Sequence, residues 1–488
     1  MYSFLICIAA LILGYIFYGR FVEKVFGPDP NRQTPAYAKQ DGVDFIPMPT
    51  WKVFMIQFLN IAGTGPIFGA IMGAKFGPAS YLWVVLGCIF AGAVHDYLSG
   101  MFSIRGNGRS LPIIIGHNLN DATRKVVLVF TALLLLMVGA VFVYSPALIL
   151  GNITAEGNTT VTMIWVVAIF AYYIIATLLP VDKIIGKIYP VFGFSLLFMA
   201  VSLMVCLVAK WPSIPEIWDG LSNLGAEKGL SGMADQPVIP CLFITIACGA
   251  ISGFHATQSP MMARCIKNEK LGRPIFYGAM ISEGIVALIW AAVGSYFFFT
   301  GGAEEVGSKI TAAAPEVVIS VSKSWLGVFG GILAVIGVVA APITSGDTAL
   351  RSLRLIVADA IKIPQETKKQ RLMISVPIFV LAGLILWFNI SDENGFNIIW
   401  RYFGWANQSL ACFTLWAITA YLTRKGRGPR VFVGLVPACI MTGICVSYIS
   451  IAKIGLNLPA SFANWILAGT VLVSLGLYLF WALRRKAE

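Results

Sequence analysis

Only three of the 488 residues are histidine, and two of them lie in otherwise apolar stretches. His95 is followed directly by Asp96, and His255 sits within Gly249-Ala-Ile-Ser-Gly-Phe-His-Ala-Thr-Gln-Ser-Pro260. Glu283 and Asp347 are further acids inside apolar runs. An ionisable group surrounded by hydrocarbon is costly, so each is a candidate for moving protons or ions. His255 leads, because imidazole titrates near neutral pH. The proton-coupling candidates are therefore His255, Glu283, Asp96 and Asp347. Each has a structural alternative: His95 and Asp96 as a packing pair, and Asp347 as the partner of Arg351 one helical turn away. His117 falls in a polar connection and reads as structural.

Backbone breakers accompany these groups. Asn60-Ile-Ala-Gly-Thr-Gly-Pro-Ile-Phe-Gly69, the stretch around His255, and Ala341-Pro-Ile-Thr-Ser-Gly-Asp-Thr348 each combine Gly or Pro with hydroxyls. Gly and Pro interrupt helical hydrogen bonding, and the freed carbonyls and amides survive only where protein or a water-filled cavity covers them. Carbonyls near Ala62 and Gly63, with the hydroxyls of Thr344 and Ser345, would make an all-oxygen set suited to a hard cation. Alternatively, those hydroxyls bond to their own helix.

The elements that must hold these residues are set by composition. Hydrophobic residues make up 58% of the chain and charged residues 12%, far from the balance of a soluble domain. Runs such as 126–150 and 191–209 match the roughly 20 residues that cross a bilayer as a helix. Thirteen spans are predicted, at 2–19, 52–74, 79–103, 126–150, 161–180, 187–209, 238–263, 274–300, 325–347, 373–390, 397–422, 431–452 and 462–483. The first reads as a retained span with its N-terminus outside, because Arg20 and Lys24 follow it. The C-terminus is then inside. All but seven of the 35 Lys and Arg fall on the side counted as inside, the exceptions being Lys75, Lys210, Lys228, Lys309, Lys323, Arg401 and Lys453. The net charge of +12 thus reflects membrane topology and excludes nucleic acid as a partner. Nine cysteines without a C-x-x-C read as small buried side chains, and no transition-metal site is expected.

Spans 2 and 7, five apart, cross in opposite directions, and both are interrupted. Ile61-Ala-Gly63 echoes Ile251-Ser-Gly253. Paired broken helices in corresponding positions point to a transporter's midplane site. The predicted fold is an all-α polytopic membrane protein with a leucine-transporter-like 5+5 inverted repeat. Residues 1–51 form a first helix and inner loop, 52–422 the ten-helix core (halves 52–209 and 238–422), and 423–488 the last helices. The expected substrate-binding residues are Gly63, Thr64, Gly65, Ser252, Gly253, Phe254, His255, Thr257 and Gln258. Ala62, Gly63, Thr344 and Ser345 are the expected cation site.

Several segments together resemble the carbon starvation (CstA) family of prokaryotic transporters. They are Thr34-Pro-Ala-Tyr-Ala-Lys-Gln-Asp-Gly-Val-Asp-Phe-Ile-Pro47, Ile61-Ala-Gly-Thr-Gly-Pro66, Ala91-Gly-Ala-Val-His-Asp96, Ser252-Gly-Phe-His-Ala-Thr257, Ile343-Thr-Ser-Gly-Asp-Thr-Ala-Leu-Arg351 and Phe403-Gly-Trp-Ala-Asn-Gln408. The resemblance implies uptake of peptides, and for some members pyruvate, across the bacterial inner membrane during nutrient limitation. It also implies the leucine-transporter fold. The chain is short for the family, and Ala-Thr-Gln-Ser-Pro after His255 departs from the Ser/Gly/Thr-rich stretch expected of longer members, so pyruvate specificity does not carry over. The reading is a secondary symporter for a peptide or small carboxylate, embedded in the bilayer, coupled to H+ or Na+, with no cofactor beyond a coupling ion. A membrane enzyme would need clustered ligands such as H-E-x-x-H, which three dispersed histidines do not supply. A channel or sensor would need a pore motif or a signalling domain, and neither is visible.

Overall fold

The computed structural model describes the backbone of residues 1–155, 157–178, 185–365, 367–392 and 395–487, and the side chains at these positions except 178, 185–188, 329–330, 333–334, 396–397 and 485–487. Every regular element among them is helical. Among the described residues, nine helices are long and apolar enough to cross a membrane: α1 (Tyr2–Phe26), α4 (Ala79–Arg105), α5 (Asp121–Thr154), α6 (Thr159–Leu178), α7 (Ile185–Lys210), α10 (Glu269–Phe299), α12 (Lys368–Ser391), α14 (Gly428–Ile451) and α15 (Ala460–Arg484). A tenth forms if α2 (Thr50–Ile61) and α3 (Gly65–Ala74), bent by 56° across a short break, count as one span. The expected thirteen is therefore not reached on length and apolarity. The remaining predicted spans fall on α8 (Val238–Thr245) with α9 (Gly253–Ala263), on α11 (Ala314–Ile361) and on α13 (Gly395–Arg424). The halves α8 and α9 are each too short to cross alone. The inner connection carrying Lys183 lies outside the described residues, as does the side chain of Lys187.

Both expected breaks in spans 2 and 7 are present, with different edges. The first covers residues 62–64, and a five-residue π turn at Gly65–Gly69 follows. The second runs over 246–252, earlier than expected, so His255 stands in the first turn of α9 rather than in unwound chain. The third stretch is not a break. Helix α11 continues through Pro342, and its non-helical residue is Gly327, at φ 66°. Near Pro342 the Thr344 hydroxyl donates to the carbonyls of Ala340 and Ala341, at 3.0 and 2.9 Å.

Glycines let the broken segments meet backbone to backbone. A Cβ on Gly65 would lie 2.4 Å from Cys248 Cβ, one on Gly253 2.4 Å from the Asn407 carbonyl oxygen, and one on Gly92 2.2 Å from the Ala250 carbonyl oxygen. Carbonyls at the break find donors on neighbouring helices: Trp83 Nε1 donates to the unwound Ile246 O at 2.9 Å, and Gln408 Nε2 to Phe243 O in the last turn of α8 at 3.1 Å. This meets the requirement that unwound backbone at membrane depth be covered.

Because the obstacle at Gly92 is backbone, Gly92→Ala is expected to destabilise by about 1–3 kcal/mol. Gly469→Ala on α15, where the added methyl meets nothing within 4 Å, is expected to be silent. Thermal melts of the two purified variants in one detergent check this. Equal melting would remove close approach as the reason for the glycine.

Candidate functional site

The isolated ionisable residues converge. Asp96 on α4 has one carboxylate oxygen 2.8 Å from His95 Nδ1 and the other 2.9 Å from His255 Nδ1 on α9. The second ring nitrogen, His255 Nε2, lies 3.4 Å from Glu283 Oε2 on α10. All four side chains are fully buried. An ionised Asp96 accepts an N–H from each Nδ1, which leaves His255 Nε2 facing Glu283. The separation of these two is an ion-pair distance and not a hydrogen bond: His255 Nε2 and both Glu283 carboxylate oxygens are buried without a hydrogen-bond partner. The arrangement is thus a buried cluster of titratable groups linking three helices, with His95 packed against Asp96 inside it.

Around it, the start of α9 is held from α13. Asn407 Oδ1 accepts from Phe254 N at 2.7 Å and from the Ser252 hydroxyl at 3.0 Å. The sequence motif contained Asn407 but gave it no role; a polar amide in an apolar span was the available signal. Cys248 Sγ, His255 and Glu283 offer ligand atoms within 4.8 Å of one another, a grouping unexpected from the dispersed sequence positions. The thiol is also within 3.7 Å of the Ser252 hydroxyl and 3.6 Å of Asn407 Nδ2.

The other expected site residues divide. Gly63, Thr64 and Gly65 line the first break. The Thr64 hydroxyl is buried without a hydrogen-bond partner, as are the side-chain amides of Gln57 and Asn60 on α2. Sequence reading left Gln57 out. Thr257 donates to Phe254 O at 2.6 Å and receives from Gln258 Nε2 at 2.8 Å, and Gln258 Oε1 lies 3.4 Å from the Ser352 hydroxyl of α11, so these two turn toward protein partners. Of the hydroxyl pair on α11, only Ser345 reaches span 2: its Oγ donates to Leu59 O at 2.8 Å and lies 3.4 Å from where a Gly63 Cβ would sit. Ala62 occupies the break itself, while the Thr344 hydroxyl serves its own helix. The Asp347 carboxylate receives the Tyr189 hydroxyl at 2.8 Å and approaches that of Tyr172 at 3.5 Å. Arg351 reaches Asp44 at 3.6 Å.

The family model for carbon starvation protein CstA matches residues 1–165, 149–328 and 298–447. The chain belongs to the carbon starvation CstA family. Among CstA relatives, the Campylobacter jejuni protein named peptide transporter CstA is 27% identical over 93% of this chain and 80% of its own length. A Haemophilus influenzae protein named uncharacterized membrane protein is 47% identical over 61% of this chain and 91% of its own. The Escherichia coli pyruvate/proton symporter BtsT is 28% identical over 58% of this chain and 47% of its own. Among solved structures, an Eremococcus coleocola manganese transporter superposes with a TM-score of 0.56 at 12% identity, covering 91% of this chain and 98% of that one. A Na+-coupled sialic acid symporter gives 0.52 at 14%, covering 97% and 95%. The fold is that of the leucine-transporter class. This CstA-family chain is a membrane-embedded transporter of a small molecule, not an enzyme.

Asn407→Leu leaves Phe254 N without its acceptor and is expected to cost about 1–3 kcal/mol. Asn389, buried on α12 with neither amide atom hydrogen-bonded, supplies the contrast: Asn389→Leu is expected to be neutral or stabilising. Melting temperatures in detergent check the pair. A silent Asn407→Leu would show that α9 is not anchored from α13.

Proposed function

We propose that this chain is a proton-coupled symporter that takes up a small carboxylate-bearing nutrient, a peptide or a 2-oxo acid such as pyruvate, across the bacterial inner membrane, with its N-terminus outside and its C-terminus in the cytoplasm. The observation that carries the reading is the continuous buried contact His95–Asp96–His255–Glu283, which joins α4, α9 and α10. A proton entering this cluster neutralises the charge that draws His255 toward Asp96, and so changes how tightly α9 is held to its neighbours. An ion that favours one access state in this way can drive a substrate uphill. The names of the relatives, a peptide transporter and a pyruvate/proton symporter, favour the same substrate chemistry. The start of α9 suits a carboxylate, because half-helix N-termini bind anions at transporter midplanes. In this reading residues 52–422 form the transport core and 423–488 an appended helical pair. Gly63, Thr64 and Gly65 face the substrate from the first break, and Ser252, Gly253, Phe254 and His255 from the second. Thr257 and Gln258 support them.

Sodium is the second reading. It is favoured by the Ser345 hydroxyl standing across from the break at Ala62 and Gly63, where carbonyl oxygens are available. Thr344 stands outside that account: its hydroxyl bonds to its own helix and its carbonyl accepts from the Tyr189 and Thr348 hydroxyls.

Proteoliposomes with an imposed pH gradient separate the two. Labelled pyruvate or dipeptide is expected to accumulate above equilibrium without sodium, to be released by a protonophore, and to lose at least tenfold in His255→Ala at normal expression. Accumulation that ignores the pH gradient, follows sodium and fails in Ser345→Ala would replace the proton reading. Flux that only equilibrates would make the protein a channel.

A further inference from the structure

Three ligand-bearing side chains converge where the second break, α9 and α10 meet. They are Cys248 in the unwound chain, His255 in the first turn of α9 and Glu283 on α10, all buried, and one ligand atom from each lies within 4.8 Å of the other two. His255 Nε2 and both Glu283 carboxylate oxygens have no hydrogen-bond partner. Unpaired buried polar atoms are costly, so a group that engages them together is favoured. Thiolate, imidazole and carboxylate in one place suit a borderline-soft divalent ion of the zinc class rather than Mg2+ or Ca2+.

His255 is already oriented as a ligand. Its Nδ1 lies 2.9 Å from an Asp96 carboxylate oxygen, so with the hydrogen on Nδ1 the Nε2 lone pair faces Glu283. Imidazoles that bind metal usually give their other N–H to a carboxylate in this way, which fixes tautomer and ring angle. The 3.4 Å between Nε2 and Glu283 Oε2 is long for a hydrogen bond. It matches the spacing of about 3.3–3.5 Å between a nitrogen and an oxygen on one tetrahedral zinc, which follows from the usual zinc–ligand lengths. At Cys248, Asn407 Nδ2 directs an N–H toward Sγ from 3.6 Å, an interaction that favours thiolate. The Ser252 hydroxyl, 3.7 Å from Sγ, adjoins the fourth position. A Cβ on Gly65 would lie 2.5 Å from the same sulfur, so the thiol stands where the two breaks meet.

We propose that Cys248, His255 and Glu283 form a site for a divalent ion of the zinc class, and that the ion arrests transport. His255 binds through Nε2, Glu283 through one carboxylate oxygen, and Cys248 as thiolate, its proton leaving to solvent on binding. Cys248 closes the remaining distance by side-chain rotation on chain that is already unwound. Occupancy fastens the second break, α9 and α10 to one another. The site stands on ligand geometry and holds whether or not protons drive uptake. Arrest rests on the reading that α9 shifts against its neighbours during transport.

The full chain, untagged and reduced, is titrated in detergent with Co2+, whose tetrahedral thiolate complexes give a visible band and a sulfur-to-metal charge-transfer band. Both bands are expected to saturate and to be displaced by Zn2+. Cys248→Ser is expected to remove the charge-transfer band. Asp96→Asn, which loses the carboxylate behind the imidazole, is expected to raise the half-saturation concentration about tenfold or more. Cys248→Ser is close to isosteric, so it reports even if the Asp96 variant folds poorly. The Cys412 and Cys445 thiols, 3.7 Å apart between α13 and α14, are the competing site, and Cys412→Ser is expected to match wild type. In proteoliposomes, Zn2+ is expected to cut wild-type uptake at least tenfold, reversibly with a chelator, and to leave the rate of Cys248→Ser equal to that variant's own metal-free rate. The cobalt titration needs no substrate, so it reports on the site even if the proton reading fails. No charge-transfer band, or one that survives Cys248→Ser and vanishes in Cys412→Ser, would overturn the site. Saturated binding with undiminished wild-type uptake would overturn the arrest.

Discussion

Asp96, His255 and Glu283 can share the middle of an apolar protein only because they stand beside one another. A lone carboxylate there would be severely destabilising. Asp96 is tolerable because two imidazole nitrogens lie within 2.9 Å, and Glu283 lies at ion-pair distance, 3.4 Å, from a ring nitrogen, without a hydrogen bond to it. The three helices that carry these groups must therefore meet closely, and most of the local structure serves that meeting. In the proposed reading such a cluster is also responsive, since adding a proton changes the charge that holds the helices together.

Close meeting is secured by small residues rather than by large apolar ones. Gly92 on α4 presses against the unwound backbone at Ala250, and Gly65 in span 2 against Cys248. The unwound chain at 246–252 thus sits between α4 and the first break, with the Ile246 carbonyl answered by Trp83 and the last turn of α8 held by Gln408. Asn407 fixes where α9 restarts, and that sets the height of His255 relative to Asp96. In the proposed reading, binding site and coupling site are in this way one piece of architecture.

Local sequence carried some of this and not the rest. Gly-Thr-Gly-Pro at 63–66 announces its break, because two glycines and a proline leave little helical hydrogen bonding to lose. Ile246 to Cys248 reads as ordinary helix, and its unwinding is imposed by partners distant in sequence. Pro342 signals a break that does not occur, since neighbouring carbonyls find the Thr344 hydroxyl and the surrounding helix packs along its length. Each ionisable residue was conspicuous singly, but the contact between positions 96 and 255 leaves no local mark. The hydroxyl pair at 344–345 shows the same limit: helical geometry points only one of the two toward span 2.

The account turns on whether substrate and proton share the Asp96–His255–Glu283 cluster. The direct measurement is proton exchange on substrate binding, read with an indicator dye in a weakly buffered solution of the purified protein. On adding pyruvate or a dipeptide between pH 6 and 8, the wild-type protein is predicted to take up protons in proportion to occupied sites, and Asp96→Asn to bind substrate without doing so. Saturable binding by the wild type with no proton uptake at any pH in that range would contradict it.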